Sequence, residues 1–282
     1  MMVRKTVRFM CVLLTTLSLG FTLTGAAADF DKALNAYGKG DYKTAIEEWR
    51  ILANQGDAES QASLGTMYLL GQGVPEDLTK SAQWTRRAAE QDYAPAQFYL
   101  GIMYGNGHGV SQDYAEAAQW YRRAAEQGYA RAQYSLGVMY GNGNGVAQDY
   151  AEAAQWYRRA ADQGVIKAQS ILGAMYYEGQ GVPQDYAEAA QWYRRAAEQG
   201  DITAQTILGT MYYDGTGVTR NLVMAYVVSN LAAAQGYKNA RELRDIIAKN
   251  LSREQIAEGQ RMASEWRVGT PLPYFKDFKT WP

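Results

Sequence analysis

Apolar and small residues recur along this chain with the spacing of one face of an α-helix. In residues 94–104 the apolar positions Ala96, Leu100 and Met103 lie three or four residues apart, which predicts an amphipathic helix. Residues 113–128 place alanines and an aromatic pair at the same spacing, which predicts a second helix with its own apolar face. The pattern therefore predicts an all-α chain built from paired helices.

The predicted second helix has recognisable ends. Asp113, followed three residues later by Glu116, matches a capping box, in which each side chain accepts from the other residue's backbone amide. Gly128 follows the helix, where a left-handed backbone conformation favours glycine. The connection Gly107-His108-Gly109-Val110 has two glycines that permit positive φ. We expect its valine to turn inward and anchor the loop.

The helix pair is one unit of an internal repeat. Leu-Gly pairs, each followed by Met-Tyr, recur at a step of 36 residues, beginning at Leu64, Leu100, Leu136, Leu172 and Leu208. They define five units, residues 57–92, 93–128, 129–164, 165–200 and 201–236. Because one helix pair cannot bury its own apolar face, the units must stack on one another. Such stacking is the architecture of an α-solenoid.

The segments that flank the five units are atypical. Residues 29–56 keep the register of a unit but move its tryptophan to Trp49, and residues 237–267 end in a helix that opens at Ser252. We interpret both as capping hairpins. Residues 268–282 contain prolines and aromatic residues without helical period. This tail either caps the last helix or forms a docking motif, and we favour capping because exposed aromatic side chains are unfavourable in water.

Residues 1–28 have the pattern of an export signal. Arg4, Lys5 and Arg8 precede an apolar run of about 15 residues, shorter than the roughly 20 needed to span a bilayer, and three alanines follow. We expect cleavage after Ala28 and a periplasmic or secreted protein without a transmembrane segment. A retained N-terminal anchor helix is the alternative.

Composition and charge narrow the function. Among its 282 residues the chain has 1 His and 1 Cys, too few for a zinc site or a disulfide framework. Signal cleavage would leave 25 basic and 29 acidic residues, a net charge of −4. This balance argues against nucleic-acid binding, which is typical of basic domains. We expect no cofactor, no metal ion and no catalytic residues, and a monomeric protein.

The whole unit reads A-x-A-Q-x-x-L-G-x-M-Y-x-x-G-x-G-V-x-x-D-Y-x-x-A-x-x-W-Y-x-x-A-A-x-Q-G and resembles the Sel1-like repeat, a tetratricopeptide-type family. The resemblance covers residues 57–236, departs from the pattern at Tyr226-Val227-Val228-Ser229, and is weak in the flanking segments. It implies a right-handed superhelix that binds proteins or peptides. It further implies, for exported bacterial members, the role of an adaptor or regulator.

Candidate binding residues are those that vary between the units, since stacking does not require them. The resemblance implies that the first helices line a concave groove, so variable side chains on them are expected to face a partner. Aromatic and arginine side chains are typical interface anchors. The candidates are Phe98, Arg131, Tyr134, Lys167, Tyr177 and Tyr213. The alternative is that they are ordinary half-exposed surface residues.

Two further patterns have alternative interpretations. Arginine pairs recur in the second helices, at Arg122-Arg123 for example, and form either a ladder that attracts an acidic partner or a solvated face with Arg122 near Glu126. At this net charge we favour the solvated face. The glycine-rich loop around His108 is similar to a phosphate loop, but it follows a helix rather than a strand. We therefore expect a turn with a solvent-facing histidine.

The leading hypothesis is a non-catalytic scaffold of the cell envelope, or a secreted factor that meets host proteins. One rival is an enzyme, because some cysteine-rich relatives of the repeat have been discussed as β-lactam hydrolases. Their disulfide pattern is missing from this sequence. The other rival is a polysaccharide or peptidoglycan binder that uses the many Tyr and Trp residues. Most of these aromatic residues occupy repeated core positions, which leaves few to stack on sugars.

Overall fold

The computed structural model describes residues 26–273, with side chains from residue 30. These residues form fourteen α-helices and no β-strand. The helices are α1 (Ala26–Gly38), α2 (Tyr42–Asn54), α3 (Ala58–Leu70), α4 (Leu78–Glu90), α5 (Ala94–Asn106), α6 (Tyr114–Glu126), α7 (Ala130–Asn142), α8 (Tyr150–Asp162), α9 (Ile166–Glu178), α10 (Tyr186–Glu198), α11 (Ile202–Asp214), α12 (Leu222–Ala234), α13 (Lys238–Ala248) and α14 (Arg253–Glu265). The basic and apolar parts of the predicted export signal lie outside the described residues, and the predicted cleavage point falls within α1.

The described residues form two compact units, which divide between Ala147 and Gln148. Each of these two units, called the first and the second unit below, contains several of the 36-residue repeats. In the first unit each helix packs against the next one along the chain, from α1 on α2 through to α6 on α7. In the second unit the same holds from α8 on α9 through to α12 on α13, and α14 packs against α12. This sequential packing of helix pairs confirms the predicted all-α solenoid. Within the described residues no helix is long and apolar enough to cross a bilayer.

The cap of α6 differs in one bond from the prediction. The Asp113 carboxylate accepts from the amides of Ala115 at 2.9 Å and Glu116 at 3.0 Å, as expected of an N-cap. The Asp113 amide, however, donates to the Tyr104 carbonyl at 2.9 Å, so it is not left for the Glu116 side chain. A complete capping box forms instead at α14, between Ser252 and Gln255.

The loop between the helices of a pair is a turn, as predicted. Gly107 ends α5 with φ of 71°, and Gly109 also has φ of 71°. A Cβ on Gly109 would lie 1.9 Å from the carbonyl oxygen of Leu78, so glycine allows this loop to touch the preceding helix pair. Val110 is partly buried against the apolar core, as expected.

The interior of each pair is built from the repeated apolar positions. Ala96, Leu100 and Met103 of α5 are buried, and so is Trp120 of α6. The glycine of the Leu-Gly pair has a packing role, because a Cβ on Gly101 would lie 2.7 Å from the Tyr121 ring. Glycine at this position therefore lets the aromatic ring of α6 lie directly on the backbone of α5.

A buried glutamine also links successive helices. Gln97 is fully buried on α5. Its Nε2 donates to the Ala89 carbonyl at 3.1 Å, and its Oε1 accepts from Gln127 Nε2 at 2.8 Å. The bonded groups lie at the ends of α4 and α6, so one side chain joins two helix pairs. The second unit repeats the arrangement around Gln169.

The described end of the chain returns to the second unit. The Gly269 amide donates to the Glu198 carbonyl at 2.7 Å, and the Leu272 amide donates to the Glu198 carboxylate at 3.0 Å. Leu272 is 5% exposed within the apolar core. Residues 268–273 therefore fold back onto the end of α10. The aromatic residues of the tail, 274–282, lie outside the described residues.

Candidate partner-binding site

The arginine pairs are held by aromatic rings. Arg122 donates a hydrogen bond to the Tyr140 hydroxyl and lies 5.6 Å from the centre of that ring. Arg123 lies 4.5 Å from the Trp120 ring. Arg122 therefore contacts the next helix pair through Tyr140. Tyr140 offers Arg122 both a hydroxyl oxygen that accepts a hydrogen bond and the face of an aromatic ring, at a partly buried position.

Phe98 is less accessible than the groove prediction requires. Its side chain is 7% exposed. It lies within 5.3 Å of the Tyr99 and Tyr129 rings and 5.7 Å of the Tyr121 ring, measured between centroids. This position of α5 turns toward the neighbouring helix pair, which corrects the expectation of an exposed anchor.

The other candidates on first helices have more surface. In the first unit, Arg131 and Tyr134 of α7 are half-buried. In the second unit, Lys167 of α9 is exposed, and Tyr177, at the end of the same helix, is 37% exposed. Tyr213 of α11 is half-buried and packs against the apolar core.

Tyr134 lines a cavity of about 340 Å³ in the first unit. The cavity lies between the first helices α5 and α7, and the second helix α6 contributes residues to its wall. Its lining residues are Ile102, Gly105, Asn106, Tyr114, Ala117, Tyr121, Tyr134, Ser135, Val138, Met139 and Asn144. Of the six candidates from the sequence, Tyr134 is the one that lines this cavity.

Gly105 keeps the cavity open. It lies inside α5 without a positive φ, so its backbone conformation does not require glycine. Glycine in a helix interior lowers stability by about 1 kcal/mol relative to alanine. A Cβ on Gly105 would meet only the Ala117 methyl group, at 3.9 Å. Three of the other repeats carry Leu69, Tyr177 and Tyr213 at this position, and the fourth carries Gly141. This substitution between units is the sequence signal that could have revealed the cavity.

The described cavity lining is polar in places but uncharged. Burial raises the pKa of Tyr121 to about 12, and it also raises the pKa of Tyr134. Both phenols therefore stay neutral at physiological pH. Asn106 and Asn144 add amide groups, and the remaining lining is mainly aliphatic or methionine. The cavity thus offers hydrogen bonds and apolar contact without a counter-charge for an ion.

The glycine-rich loop and its histidine contribute no comparable site. His108 is partly exposed, and its amide donates to the Met103 carbonyl at 2.9 Å. Among residues 26–273, no group of three or more His, Cys, Asp or Glu side chains is arranged to hold a metal ion.

Stacked two-helix units with a repeated core define the class of α-solenoid repeat proteins. The family model of the Sel1 repeat matches residues 58–93, 94–129, 130–165, 166–201 and 202–237. The chain belongs to the Sel1 repeat family, which confirms the resemblance. Members of this family are generally non-catalytic scaffolds that bind proteins.

Solved structures that are similar to this chain include the following two. The first is c5321, a protective antigen present in uropathogenic Escherichia coli strains that displays an SLR fold, with 37% identity over 85% of this chain and 53% of that chain, and a TM-score of 0.77. The chain therefore spans about half the length of that antigen. The second is a Sel1 repeat protein from Oxalobacter formigenes, with 33% identity over 84% and 99% of the two chains and a TM-score of 0.73. No curated protein matches the chain.

Proposed function

We propose that the protein is a non-catalytic scaffold of the bacterial cell envelope that binds a protein or peptide on the side of its first helices. The cavity between α5 and α7 carries this proposal, because its walls include the variable positions of those helices. Membership of a family whose repeats generally bind proteins supports it.

The repeated polar residues already serve the scaffold, which leaves the variable positions for recognition. Arg122 and Gln97 bond across helix pairs, and Gly109 accommodates the contact with the preceding pair. Tyr134, Lys167 and Tyr177 vary between units and keep accessible surface. Because stacked helix pairs hold such side chains in fixed positions, a partner binds with a smaller loss of conformational entropy.

The envelope location rests on residues 1–28, whose basic start, apolar run and alanines are typical of an export signal. Sel1 repeat proteins are often exported. In this proposal the exported chain is a monomer that binds neither nucleic acid nor a cofactor. A secreted factor that meets host proteins is the variant of the proposal favoured by similarity to a protective antigen.

Affinity capture from envelope extract tests the proposal. The baits are the mature protein, a variant carrying Tyr134→Ala and Tyr177→Ala, and the matched control Tyr237→Ala, which removes a tyrosine that is 39% exposed outside the first helices. We expect the wild type and the control to recover the same partner and the double variant to lose it. Equal recovery by all three baits would show that these tyrosines are not anchors.

Sedimentation with purified cell-wall sacculi separates the scaffold from a polysaccharide binder. Tyr114, Tyr150 and Tyr186 begin consecutive second helices and are 47%, 37% and 38% exposed, so their rings are accessible to a sugar chain. We expect the protein to stay in the supernatant. Sedimentation that is lost when these three tyrosines are replaced by alanine would favour the polysaccharide binder.

A further inference from the structure

The second unit contains an internal counterpart of the cavity position. Two repeat steps beyond Gly105 and Tyr114, the chain has Tyr177 and Tyr186. The Tyr177 ring meets the Tyr186 ring edge-on, with a centroid distance of 5.0 Å and an interplanar angle of 67°. In the first unit Gly105 has no ring to offer Tyr114. The chain therefore supplies, in one unit, an aromatic ring that the other unit lacks.

The backbone around the two positions is held in the same way. Gln112 Nε2 donates to the Gly105 carbonyl at 2.8 Å, and Gln184 Nε2 donates to the Tyr177 carbonyl at 2.9 Å. The helix end is thus equivalent in the two units, and the difference lies in the side chain. The open volume beside Gly105 has the location that a tyrosine ring takes at Tyr177.

The size and chemistry of the cavity also favour an aromatic side chain as its occupant. Its volume of about 340 Å³ is near the lower end of the range for ligand pockets, about 300–1,000 Å³, which suits one large side chain. Tyr114 and Tyr121 offer ring contacts and Met139 offers a sulfur, all favourable to an aromatic ring. Asn106 and Asn144 can bond a hydroxyl. A charged side chain would lose its hydration without gaining a counter-charge.

We propose that this cavity is a recognition site for an uncharged aromatic side chain, tyrosine above all, carried by the protein partner. The proposal rests on the proposed function, since it names the group by which a partner engages the first-helix side. The occupant reproduces the contact of Tyr177 with Tyr186, with its ring beside Tyr114 and its hydroxyl near the cavity amides.

A titration with N-acetyl-tyrosinamide tests the site without a known partner. The readout is the methyl resonance of Met139 in the 13C-labelled protein. We expect a saturable shift in the millimolar range, and binding at least about tenfold weaker for N-acetyl-leucinamide, which lacks a ring. The absence of a saturable Met139 shift, or equal binding of the two probes, would overturn the proposal.

Two variants that exchange the internal counterparts sharpen the test. Gly105→Tyr places the chain's own ring in the cavity and should abolish the Met139 shift. Tyr177→Gly should open an equivalent site and add a new shift at Met211, which occupies the place of Met139 two repeats later. Circular dichroism checks that each variant keeps its helix content. An unchanged Met139 shift in folded Gly105→Tyr would contradict the site, and Tyr177→Gly tests the ring's role independently should Gly105→Tyr fail to fold.

Capture with the Gly105→Tyr bait separates the two proposals. Recovery of a specific partner that is unaffected by this substitution would overturn the aromatic site and leave the scaffold function standing. A saturable Met139 shift without any captured protein would support the cavity as a site for aromatic rings and count against the scaffold function. We expect the wild-type protein to show the Met139 shift and to capture a partner, and we expect the Gly105→Tyr bait to lose that partner.

Discussion

The Arg122 guanidinium donates a hydrogen bond to the Tyr140 hydroxyl and lies 5.6 Å from the centre of its ring. The two residues belong to α6 and α7, so the contact fastens one helix pair to the next. The second unit repeats it between Arg194 and Tyr212. A polar residue that a helical pattern assigns to a solvated face is therefore part of the contact between repeats.

Replacing Arg122 with alanine should destabilise the fold. We expect a loss of about 1–2 kcal/mol in the free energy of unfolding, since a charged hydrogen bond and a cation–π contact are both removed. Urea unfolding of Arg122→Ala, Tyr140→Phe and the double variant measures the coupling between the two residues. Glu126→Ala is the control and should change stability little. A coupling energy near zero would mean that the hydrogen bond to the Tyr140 hydroxyl does not stabilise the stack, because Tyr140→Phe removes the hydroxyl and keeps the ring.

The buried glutamine gives a second prediction. Gln97→Leu keeps a side chain of similar size but leaves the Ala89 carbonyl and the Gln127 amide without this partner. We expect the free energy of unfolding to fall by about 1–3 kcal/mol, because buried polar groups are left without a hydrogen-bond partner. Gln119→Leu, at an exposed position of α6, is the matched control in urea unfolding. Equal effects of the two substitutions would refute a special role for Gln97.

Helix pairs and their period could be predicted from the sequence because apolar spacing and glycine positions report directly on local conformation. The partners of Arg122 and Gln97 could not, because they lie on neighbouring helices and depend on how those helices pack. Phe98 illustrates the same limit. Its variation between units predicted exposure, whereas packing turns it toward Tyr129 of the next pair.

The cavity is harder to predict from the sequence than the helix pairs are. Variation between the 36-residue repeats singled out large side chains such as Tyr134 as candidate binding residues. The residue that indicates the cavity is a small one, Gly105. Its meaning depends on knowing that its backbone is helical and that open space lies beside it. Neither fact follows from the spacing of apolar residues alone.

Alanine at two neighbouring glycines should act in opposite directions. At Gly109 a Cβ would lie 1.9 Å from the Leu78 carbonyl oxygen, and φ is 71°. We therefore expect Gly109→Ala to lower the free energy of unfolding by more than about 1 kcal/mol. At Gly105 there is room for a Cβ, and Gly105→Ala should stabilise the helix by about 0.5–1 kcal/mol. Thermal unfolding of the two variants measures both effects. Destabilisation by Gly105→Ala would contradict the view that this glycine leaves usable space.

Glu59 should make stability fall as pH rises toward neutrality. Burial, followed by the charges of Asp57 and Asp31, raises the pKa of Glu59 from 4.5 to about 7. Because the folded state then holds a proton that the unfolded state has released, the free energy of unfolding decreases from about pH 4.5 to 7 through this group. Glu59→Gln keeps a neutral side chain and should flatten this dependence, so its advantage over the wild type grows as pH rises to 7. Urea unfolding of both proteins at pH 5, 6 and 7 measures the difference, with the exposed Glu90→Gln as control. Parallel pH profiles for wild type and Glu59→Gln would show that this carboxyl group has no raised pKa in the folded protein.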